Sequence, residues 1–397
     1  MKDIQRYLRH GLLQLAALPP LSLYIHLPWC LKKCPYCDFN SHEVQTSGEL
    51  VNELQSRYIH ALLADLEQSL PLIWGRSVHS IFIGGGTPSL FSPASIDSLL
   101  GQIRARVKLT ADCEITLEAN PGTFEKDRFR GYKAAGVTRL SIGVQSFNDA
   151  HLKKLGRVHN AAQAIAAVQE AAQCFETFNL DLMYALPDQT VADLERDLQT
   201  ALSLSPPHVS VYHLTIEPNT YFAKYPPTVP EEDTAYAMLD TLISTLGLAG
   251  LERYEVSAFA KVGHRCRHNL NYWQFGDYVG IGAGAHSKIS FAHRIVRQTR
   301  FRDPLLYMQN SESGDAVAQE DDIKHNELAF EFMLNALRLR DGFDSSLFYE
   351  RTGLSLASIQ GKLNQAIDKN LLVQTAKSIK PTVRGFDFLS DLQEIFL

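Results

Sequence analysis

The sequence lacks a surplus of basic residues and is poor in cysteine. Its 38 lysines and arginines are outnumbered by 44 aspartates and glutamates, which gives a net charge of −6 at pH 7. Proteins that hold nucleic acid by its phosphates need a basic surface, so we expect no nucleic-acid partner. Six cysteines in 397 residues are too few for a disulfide scaffold. The clustered ones therefore indicate metal ligands in a reducing compartment.

The sequence also lacks any hydrophobic run of the ~18–20 residues that a membrane-spanning helix requires. A basic N-terminus followed by the apolar residues 11–18 superficially resembles a signal peptide, but no cleavage site is evident. We therefore expect a cytoplasmic protein. Residues 1–19 are predicted to form a helical extension that rests on the protein or, alternatively, lies peripherally on the inner face of the membrane. Its apolar side would consist of Ile4, Leu8, Leu12 and Leu15.

Three of the six cysteines, Cys30, Cys34 and Cys37, lie within eight residues. Structural zinc sites and ordinary electron-transfer clusters use four protein ligands, so three thiolates leave one metal position open. An open iron of a [4Fe–4S] cluster can bind the amino and carboxylate groups of S-adenosylmethionine (SAM), and we favour this interpretation. The alternatives are a zinc site completed elsewhere in the chain and three buried thiols without a metal.

Apolar segments alternate with helical stretches from residue 21 onward. The segments are rich in β-branched or aromatic residues and end in turn-forming or polar residues, which is typical of strands. This alternation predicts a parallel α/β sheet with helices outside it, and six such units favour a partial barrel. The predicted strands are Leu21–His26, Ser80–Ile83, Glu114–Glu118, Arg139–Val144, Asn179–Met183 and Val209–Leu214. The predicted helices include Val51–Leu70, Pro93–Arg106, Ala161–Cys174 and Val191–Leu204.

A polar or glycine-rich group follows each of the six predicted strands. Since barrels gather their functional residues at the carboxyl ends of the strands, we expect these groups to meet at one mouth. Taken singly, each would be read as a turn, a cap or a salt-bridged residue. The groups are the three cysteines, residues 84–88 (GGGTP), Glu118 with Asn120, Gln145, Asp181, and His213 with Glu217.

The pattern changes after about residue 300. A long helix is predicted over Gln319–Arg340, and shorter helices over 345–351 and 355–370 precede a hairpin through 371–382. We interpret residues 301–397 as a smaller, helical, winged-helix-like domain.

Together the motifs resemble the radical SAM superfamily, and within it the family of oxygen-independent coproporphyrinogen oxidases and related haem chaperones. The resemblance implies a partial (β/α)6, TIM-like barrel over residues 20–300 that carries the cluster, SAM and a haem site. It rests on YIHLPWCLKKCPYCDF, IFIGGGTPSLF, ITLEANPGT, RLSIGVQSFND, FNLDLMYALPDQT and NALRLRDGF.

By this resemblance the three cysteines hold the cluster, and Tyr24, Gly85 and Glu118 contact a first SAM molecule. A further set matches positions that the oxidases use for a second SAM molecule, and the sequence leaves open whether this chain binds two. An arginine in that set suits a carboxylate because its planar guanidinium binds both oxygens. The set consists of Tyr36, Gly86, Thr87, Gln145, Arg157 and Asp181.

Two departures from the oxidases match the haem-chaperone branch. Phe39 stands where the oxidases have a fourth cysteine, and the stretch before Cys30 is too short for the N-terminal extension of the oxidases. Residues 268–273, HNLNYW, also match a signature of the chaperone branch.

The HNLNYW segment supplies the predicted haem ligand. Imidazole is a common axial ligand of haem iron, which assigns that role to His268, and Tyr272 and Trp273 are suited to stack on the porphyrin. His264 and Cys266 are alternative ligands. A hydrogen-bonded loop histidine without a haem role is the alternative interpretation of His268.

The resemblance predicts a haem chaperone that carries haem as cargo to haem-accepting proteins. Respiratory-chain enzymes and haem carriers are the implied partners, and a homodimer is the implied assembly. The alternative function is oxygen-independent oxidation of coproporphyrinogen III by a radical enzyme. A radical enzyme acting on RNA is disfavoured by the acidic charge balance.

Overall fold

The computed structural model describes residues 13–44, 49–73, 75–122 and 125–397. Its strands are β1 (Leu21–Leu27), β2 (Trp29–Cys30), β3 (His42–Glu43), β4 (Val78–Gly85), β5 (Leu109–Ala119), β6 (Arg139–Gln145), β7 (Thr177–Tyr184), β8 (His208–His213), β9 (Glu252–Arg253), β10 (Ala258–Ala260), β11 (Asp277–Ile281), β12 (His286–Phe291), β13 (Arg294–Arg300), β14 (Val317–Asp322), β15 (Phe343–Asp344), β16 (Leu372–Gln374) and β17 (Ser378–Pro381).

The α-helices are α1 (Glu49–Ile73), α2 (Pro93–Arg104), α3 (Glu125–Ala135), α4 (Asp149–Lys154), α5 (Ala161–Cys174), α6 (Val191–Ser203), α7 (Tyr221–Lys224), α8 (Glu232–Leu248), α9 (Arg267–Trp273), α10 (Pro304–Glu312), α11 (Leu328–Ala336), α12 (Ser345–Thr352), α13 (Gln360–Asp368), α14 (Val383–Asp387) and α15 (Leu389–Glu394). Short 3₁₀ helices cover Pro88–Leu90 and Leu356–Ile359. Among the described residues, every helix is too short or too polar to span a bilayer.

Twelve strands form one sheet in the order β14-β13-β12-β11-β1-β4-β5-β6-β7-β8-β10-β9. The strands β1 and β4 to β8 run parallel, and at least one helix separates each from the next. Their central residues, such as Ile25, Ile83 and Leu180, are fully buried, as expected for parallel strands covered by helices. These six strands are the ones that the sequence predicts, so the βα core is confirmed.

Two of the crossover helices, α5 and α6, begin at side-chain caps that the sequence supplies. Asn160 caps α5 and Thr190 caps α6, each in a capping box with the residue three positions later. Such caps satisfy the first free N–H groups of a helix and so determine where it begins.

A strand group that the sequence did not predict extends the sheet on the other side of β1. Strand β11 pairs parallel with β1, and β12, β13 and β14 follow in antiparallel order. The strand group of residues 277–322 therefore joins the sheet next to β1, the strand that leads into the cysteines.

The predicted helix over Gln319–Arg340 is wrong in its first half. Residues Val317–Asp322 form β14 at the edge of the large sheet, and the helix α11 covers Leu328–Ala336. Polar partners on β13 explain the difference: Gln298 donates to Glu320 at 2.9 Å, and Arg294 pairs with Asp322 at 3.1 Å.

The C-terminal region has a core of its own. Phe332, Phe343 and Phe348 pack edge to face beside the small sheet β15-β17-β16, whose β16 and β17 form the predicted hairpin. Leu13 and Leu15 are buried in the same cluster, whereas Ile4, Leu8 and Leu12 lie outside the described residues. The domain boundaries at residues 19 and 300 stay predictions, and β14 hydrogen-bonds into the large sheet beyond the second boundary.

Candidate functional site

The three clustered thiols follow β1 in a loop that the pairing of β2 with β3 closes. Cys30 is buried, Cys34 and Cys37 are half-buried, and all three are free. Polar side chains lie close to each sulfur: Thr87 Oγ1 is 3.6 Å from Cys30 Sγ, Arg157 Nη1 is 3.5 Å from Cys34 Sγ and Ser41 Oγ is 3.7 Å from Cys37 Sγ.

The chemistry of these thiols fits a [4Fe–4S] cluster. In the described part of the chain, no three His, Cys, Asp or Glu side chains converge to hold a single metal ion. Each cysteine of a [4Fe–4S] cluster binds a different iron, so cluster ligands need not converge in that way. Burial raises the pKa of the Cys30 and Cys37 thiols, and the hydroxyls of Thr87 and Ser41 oppose this rise. Because metals bind the thiolate, these hydroxyls favour the metal-binding form.

The glycine-rich turn after β4 packs against the start of the cysteine loop. The amide of Gly86 donates to Leu27 O and that of Thr87 to Trp29 O, both at 2.8 Å. Gly85 has φ +123°, and a Cβ atom at Gly86 would lie 2.6 Å from Trp29 O. Both positions therefore require glycine.

Two half-buried carboxyl groups, Glu118 and Asp181, lie on β5 and β7 toward the carboxyl ends of these strands. Burial and the nearby Asp181 raise the pKa of Glu118 to about 8, against a 3.0 Å hydrogen bond from the amide of Gly85. Burial also raises the pKa of Asp181 to about 6, although Ser141 and Asn179 donate hydrogen bonds to it at 3.0 and 2.8 Å. Perturbed carboxyl groups in one recess are typical of binding or catalytic sites.

A polar network connects the cysteine loop with three strand ends. Besides its contact with Cys34, Arg157 donates to Asn120 Oδ1 at 2.6 Å and to the carbonyl of Gly143 at 2.7 Å. Asn120 in turn donates to Thr87 Oγ1 at 2.8 Å. Asn120 was expected at the mouth from its position after a predicted strand, without an assigned role. The structure shows that it positions Arg157.

The two aromatic residues assigned to SAM, Tyr24 and Tyr36, have different neighbours. The hydroxyl of Tyr24 lies 2.9 Å from Nδ1 of His26, whose Nε2 lies 2.8 Å from the carbonyl of Asn40. Burial lowers the pKa of His26 to about 4, so its imidazole is neutral at pH 7. Tyr36 packs against Phe222 with ring centroids 6.5 Å apart.

A cavity of about 750 Å³ opens beside these groups. Its wall includes Tyr24, Gly85 and Glu118, the three residues that the resemblance assigns to the first SAM molecule. The strands that the sequence did not predict, and the segments next to them, supply much of the remaining wall, including His286 and Arg302.

His268 lies in α9 and is 2% exposed. Its Nδ1 is 3.0 Å from Ser80 Oγ and its Nε2 is 3.2 Å from the hydroxyl of Tyr272. Burial lowers the pKa of His268 to about 3. The alternative ligands also have partners: His264 Nδ1 lies 2.9 Å from Thr177 Oγ1, and Cys266 is buried with its sulfur 3.6 Å from Glu114 Oε1.

Comparisons with known proteins identify the family of the chain. Residues 24–201 match the Radical SAM superfamily, and residues 323–388 match the HemN C-terminal domain. The chain is 47% identical to "Heme chaperone HemW" of Haemophilus influenzae over 382 residues, which are 96% of this chain and 98% of the relative. It is also 47% identical to "Heme chaperone HemW" of Escherichia coli, over 96% of this chain and 99% of that protein. The chain belongs to the HemW family.

The fold of this HemW-family chain is also that of a solved radical SAM enzyme. Coproporphyrinogen III oxidase (HemN) from Escherichia coli superimposes with a TM-score of 0.81 at 24% identity, covering 96% of this chain and 90% of that chain. The mixed α/β radical SAM fold is thus confirmed. Membership of the radical SAM superfamily implies a [4Fe–4S] cluster and SAM.

The structure brings five of the six predicted strand-end groups to one mouth, those with the cysteines, Gly85, Glu118, Gln145 and Asp181. Gln145 ends β6 with φ +68°, a rare conformation for a residue other than glycine and one that accompanies functional sites. The sixth group differs, because His213 packs edge to face on Tyr184 beside a separate cavity of about 400 Å³.

Glu118→Gln should reduce the pH dependence of the stability of the metal-free protein. The pKa of Glu118 is raised from 4.5 to about 8, so the folded state binds more protons than the unfolded state between these pH values. The contribution of Glu118 to the free energy of unfolding is therefore full below pH 4.5 and is lost as the pH rises through 8. Asp181, with a pKa raised to about 6, adds to the same fall at lower pH and is retained in the variant.

Urea denaturation of both proteins across this range measures the slope of unfolding free energy against pH. Glu195→Gln, at an exposed position on α6, is the matched control and should leave the slope unchanged. A slope that is equal in all three proteins would show that Glu118 does not titrate as its burial implies.

Proposed function

We propose that the protein binds haem and transfers it to acceptor haemoproteins, with a [4Fe–4S] cluster on Cys30, Cys34 and Cys37. The observation that carries the proposal is the 47% identity to proteins named heme chaperone HemW along almost the whole chain. Phe39 supports it, because this residue is 61% exposed at the position where the resemblance expects a fourth cysteine in the oxidases.

The residues around the thiols are suited to hold SAM next to the cluster. Tyr24, Gly85 and Glu118 share one cavity wall, and an acidic group there can accept hydrogen bonds from ribose hydroxyls or an ammonium group. Arg157, next to Cys34, offers a guanidinium to a carboxylate. The chemistry that cluster and SAM supply together is one-electron cleavage of SAM to a radical.

Transfer of haem to an acceptor is the direct test of this function. The haem-loaded protein is mixed with the membrane fraction of a haem-deficient strain, which contains respiratory enzymes in their apo form. We expect haem to leave the protein and respiratory activity to appear, whereas free haem at the same concentration gives a slower response. Haem that stays on the protein at an excess of acceptor would contradict the proposal.

Oxygen-independent oxidation of coproporphyrinogen III is the second candidate function. It is favoured by the residues that match a second SAM site in the oxidases, since Gly86, Thr87, Gln145, Arg157 and Asp181 lie at the same mouth. Anaerobic incubation of the reconstituted protein with coproporphyrinogen III, SAM and a reductant separates the two functions. Formation of protoporphyrinogen over many turnovers would replace the chaperone assignment.

His268→Ala should weaken haem binding while the iron and sulfide content stays that of the wild type. The imidazole lies in the segment that matches the chaperone signature and is remote in sequence from the cysteines. Titration with haem, followed by its absorption, measures the affinity, and His60→Ala, on the exposed face of α1, is the control. An unchanged titration would exclude the imidazole of His268 from haem binding.

A further inference from the structure

Tyr272 and His268 form a hydrogen-bonded pair on α9, with 3.2 Å between the phenolic oxygen and Nε2. We propose that Tyr272, and not His268, gives the axial ligand to haem iron, and that His268 positions the phenolic oxygen. This inference rests on the proposed haem binding and goes beyond it by naming the ligand atom.

The surroundings of His268 leave its ring no free nitrogen. Ser80 occupies Nδ1 and Tyr272 occupies Nε2. The rings of Phe82 and Tyr24 pack near the imidazole, with centroids 5.1 and 6.5 Å away. Iron could bind Nε2 only after displacement of the Tyr272 hydroxyl.

Tyr272 has the access that His268 lacks. Tyr272 is half-buried and forms part of the wall of the 750 Å³ cavity. His268 is not among the described residues that line this cavity. Tyrosine oxygen is an established axial ligand of haem iron, as in catalase. The residue that faces the cavity is therefore chemically able to bind the metal.

A chain of hydrogen bonds holds His268 behind the tyrosine. Asn271 Nδ2 donates to Ser22 Oγ at 2.9 Å, Ser22 Oγ lies 2.7 Å from Ser80 Oγ, and Ser80 Oγ lies 3.0 Å from His268 Nδ1. When Ser80 donates to Nδ1, the ring proton is on Nε2 and is donated to the oxygen of Tyr272. A donor in that position stabilises a metal-bound phenolate, as groups behind a metal ligand commonly do.

The cavity wall suits a flat apolar ligand with carboxylates. Phe39, Tyr278 and Phe301 supply aromatic surface for a macrocycle. His286 and Arg302 are exposed on the same wall, and a guanidinium binds carboxylates such as haem propionates well. Tyr24, Gly85 and Glu118 share this wall, so haem would lie next to SAM.

Ligation by Tyr272 requires no oxidant or reductant. Ferric haem in neutral water carries water or hydroxide on its iron. The iron–hydroxide bond breaks, an iron–oxygen bond to Tyr272 forms, and the phenolic proton leaves with the hydroxide as water. Charge and electrons are balanced, and the iron stays ferric.

The test compares ferric haem binding to the cluster-loaded wild type, Tyr272→Phe and Tyr236→Phe. Tyr236 is the control, because it is a 55% exposed tyrosine on α8 that does not line the cavity. We expect resonance Raman phenolate modes in the wild type and in Tyr236→Phe. Tyr272→Phe should lose these modes and bind haem about tenfold more weakly, a difference of ~1.4 kcal/mol.

Each other outcome has one meaning. If Tyr272→Phe binds as tightly as the wild type and keeps its spectrum, the ligand is another group and the inference is overturned while haem binding stands. If the wild type binds no haem, the proposed function itself fails. Should Tyr272→Phe fold poorly, Tyr272→His replaces it, and a change from a phenolate to an imidazole spectrum is then expected; an unchanged spectrum would overturn the inference.

Discussion

Cys34→Ser is expected to remove the cluster, so that the anaerobically purified protein loses its brown colour and most of its iron. Serine is almost isosteric but stays protonated at neutral pH, whereas iron binds the deprotonated thiolate. With two protein ligands left, two irons of the cluster would have none. Iron and acid-labile sulfide per chain, together with the visible absorption, measure the loss.

Cys174→Ser is the matched control for this change. Cys174 is half-buried like Cys34, but it lies at the end of α5, where its sulfur is 3.5 Å from Glu170 Oε1. We expect this variant to keep full iron and colour. Full iron in Cys34→Ser as well would mean that the three-thiol cluster site is wrong. Loss of iron in both variants would point to instability of the fold instead.

The parallel core and its strand-end residues were predictable because their signals are local. Strands that are covered on both faces are continuous apolar segments in the sequence. A barrel places the carboxyl ends of its strands together, and this does not depend on the details of the helices between them. Gly85, Glu118, Gln145 and Asp181 could thus be assigned to one mouth from their positions alone. The cluster cysteines could be recognised without any prediction of the fold, since all three lie within eight residues of the sequence.

The remaining part of the site depends on long-range pairing, which leaves little trace in the sequence. Strands β11 to β14 join β1 from more than 250 residues away and form much of the cavity wall. The acidic run at Glu320–Asp322 resembles a helix surface until its partners on β13 are known. Similarly, the partners of His268 are serine and tyrosine hydroxyls, which no spacing rule connects with an imidazole.

Arg300→Met is expected to lower the free energy of unfolding by about 3–5 kcal/mol, because it leaves the buried carboxylate of Asp65 without its counterion. The two side chains are fully buried and pair at 3.0 Å between Nη2 and Oδ1. Ser287, Gln298 and Ser69 accept the other N–H groups of the guanidinium.

The ion pair of Arg300 and Asp65 also supports the wall of the 750 Å³ cavity. Asp65 on α1 also accepts hydrogen bonds from the hydroxyl of Tyr307 at 2.9 Å and from the amide of Gly282 at 3.3 Å. Arg300 and Gly284 line the cavity wall. The variant should therefore bind SAM and haem more weakly in addition to being less stable.

Arg57→Met is the control that separates the effect of burying a charge from the effect of losing an ion pair. Arg57 pairs with Glu312 at 2.8 Å, but these side chains are 47% and 41% exposed, so the loss of this pair should lower the free energy of unfolding far less than the loss of the buried pair does. Urea denaturation compares the two variants. An equal loss in both would contradict the argument from burial. The double variant Arg300→Met/Asp65→Leu removes both charges and should be more stable than Arg300→Met alone, since the main penalty is the unpaired buried carboxylate.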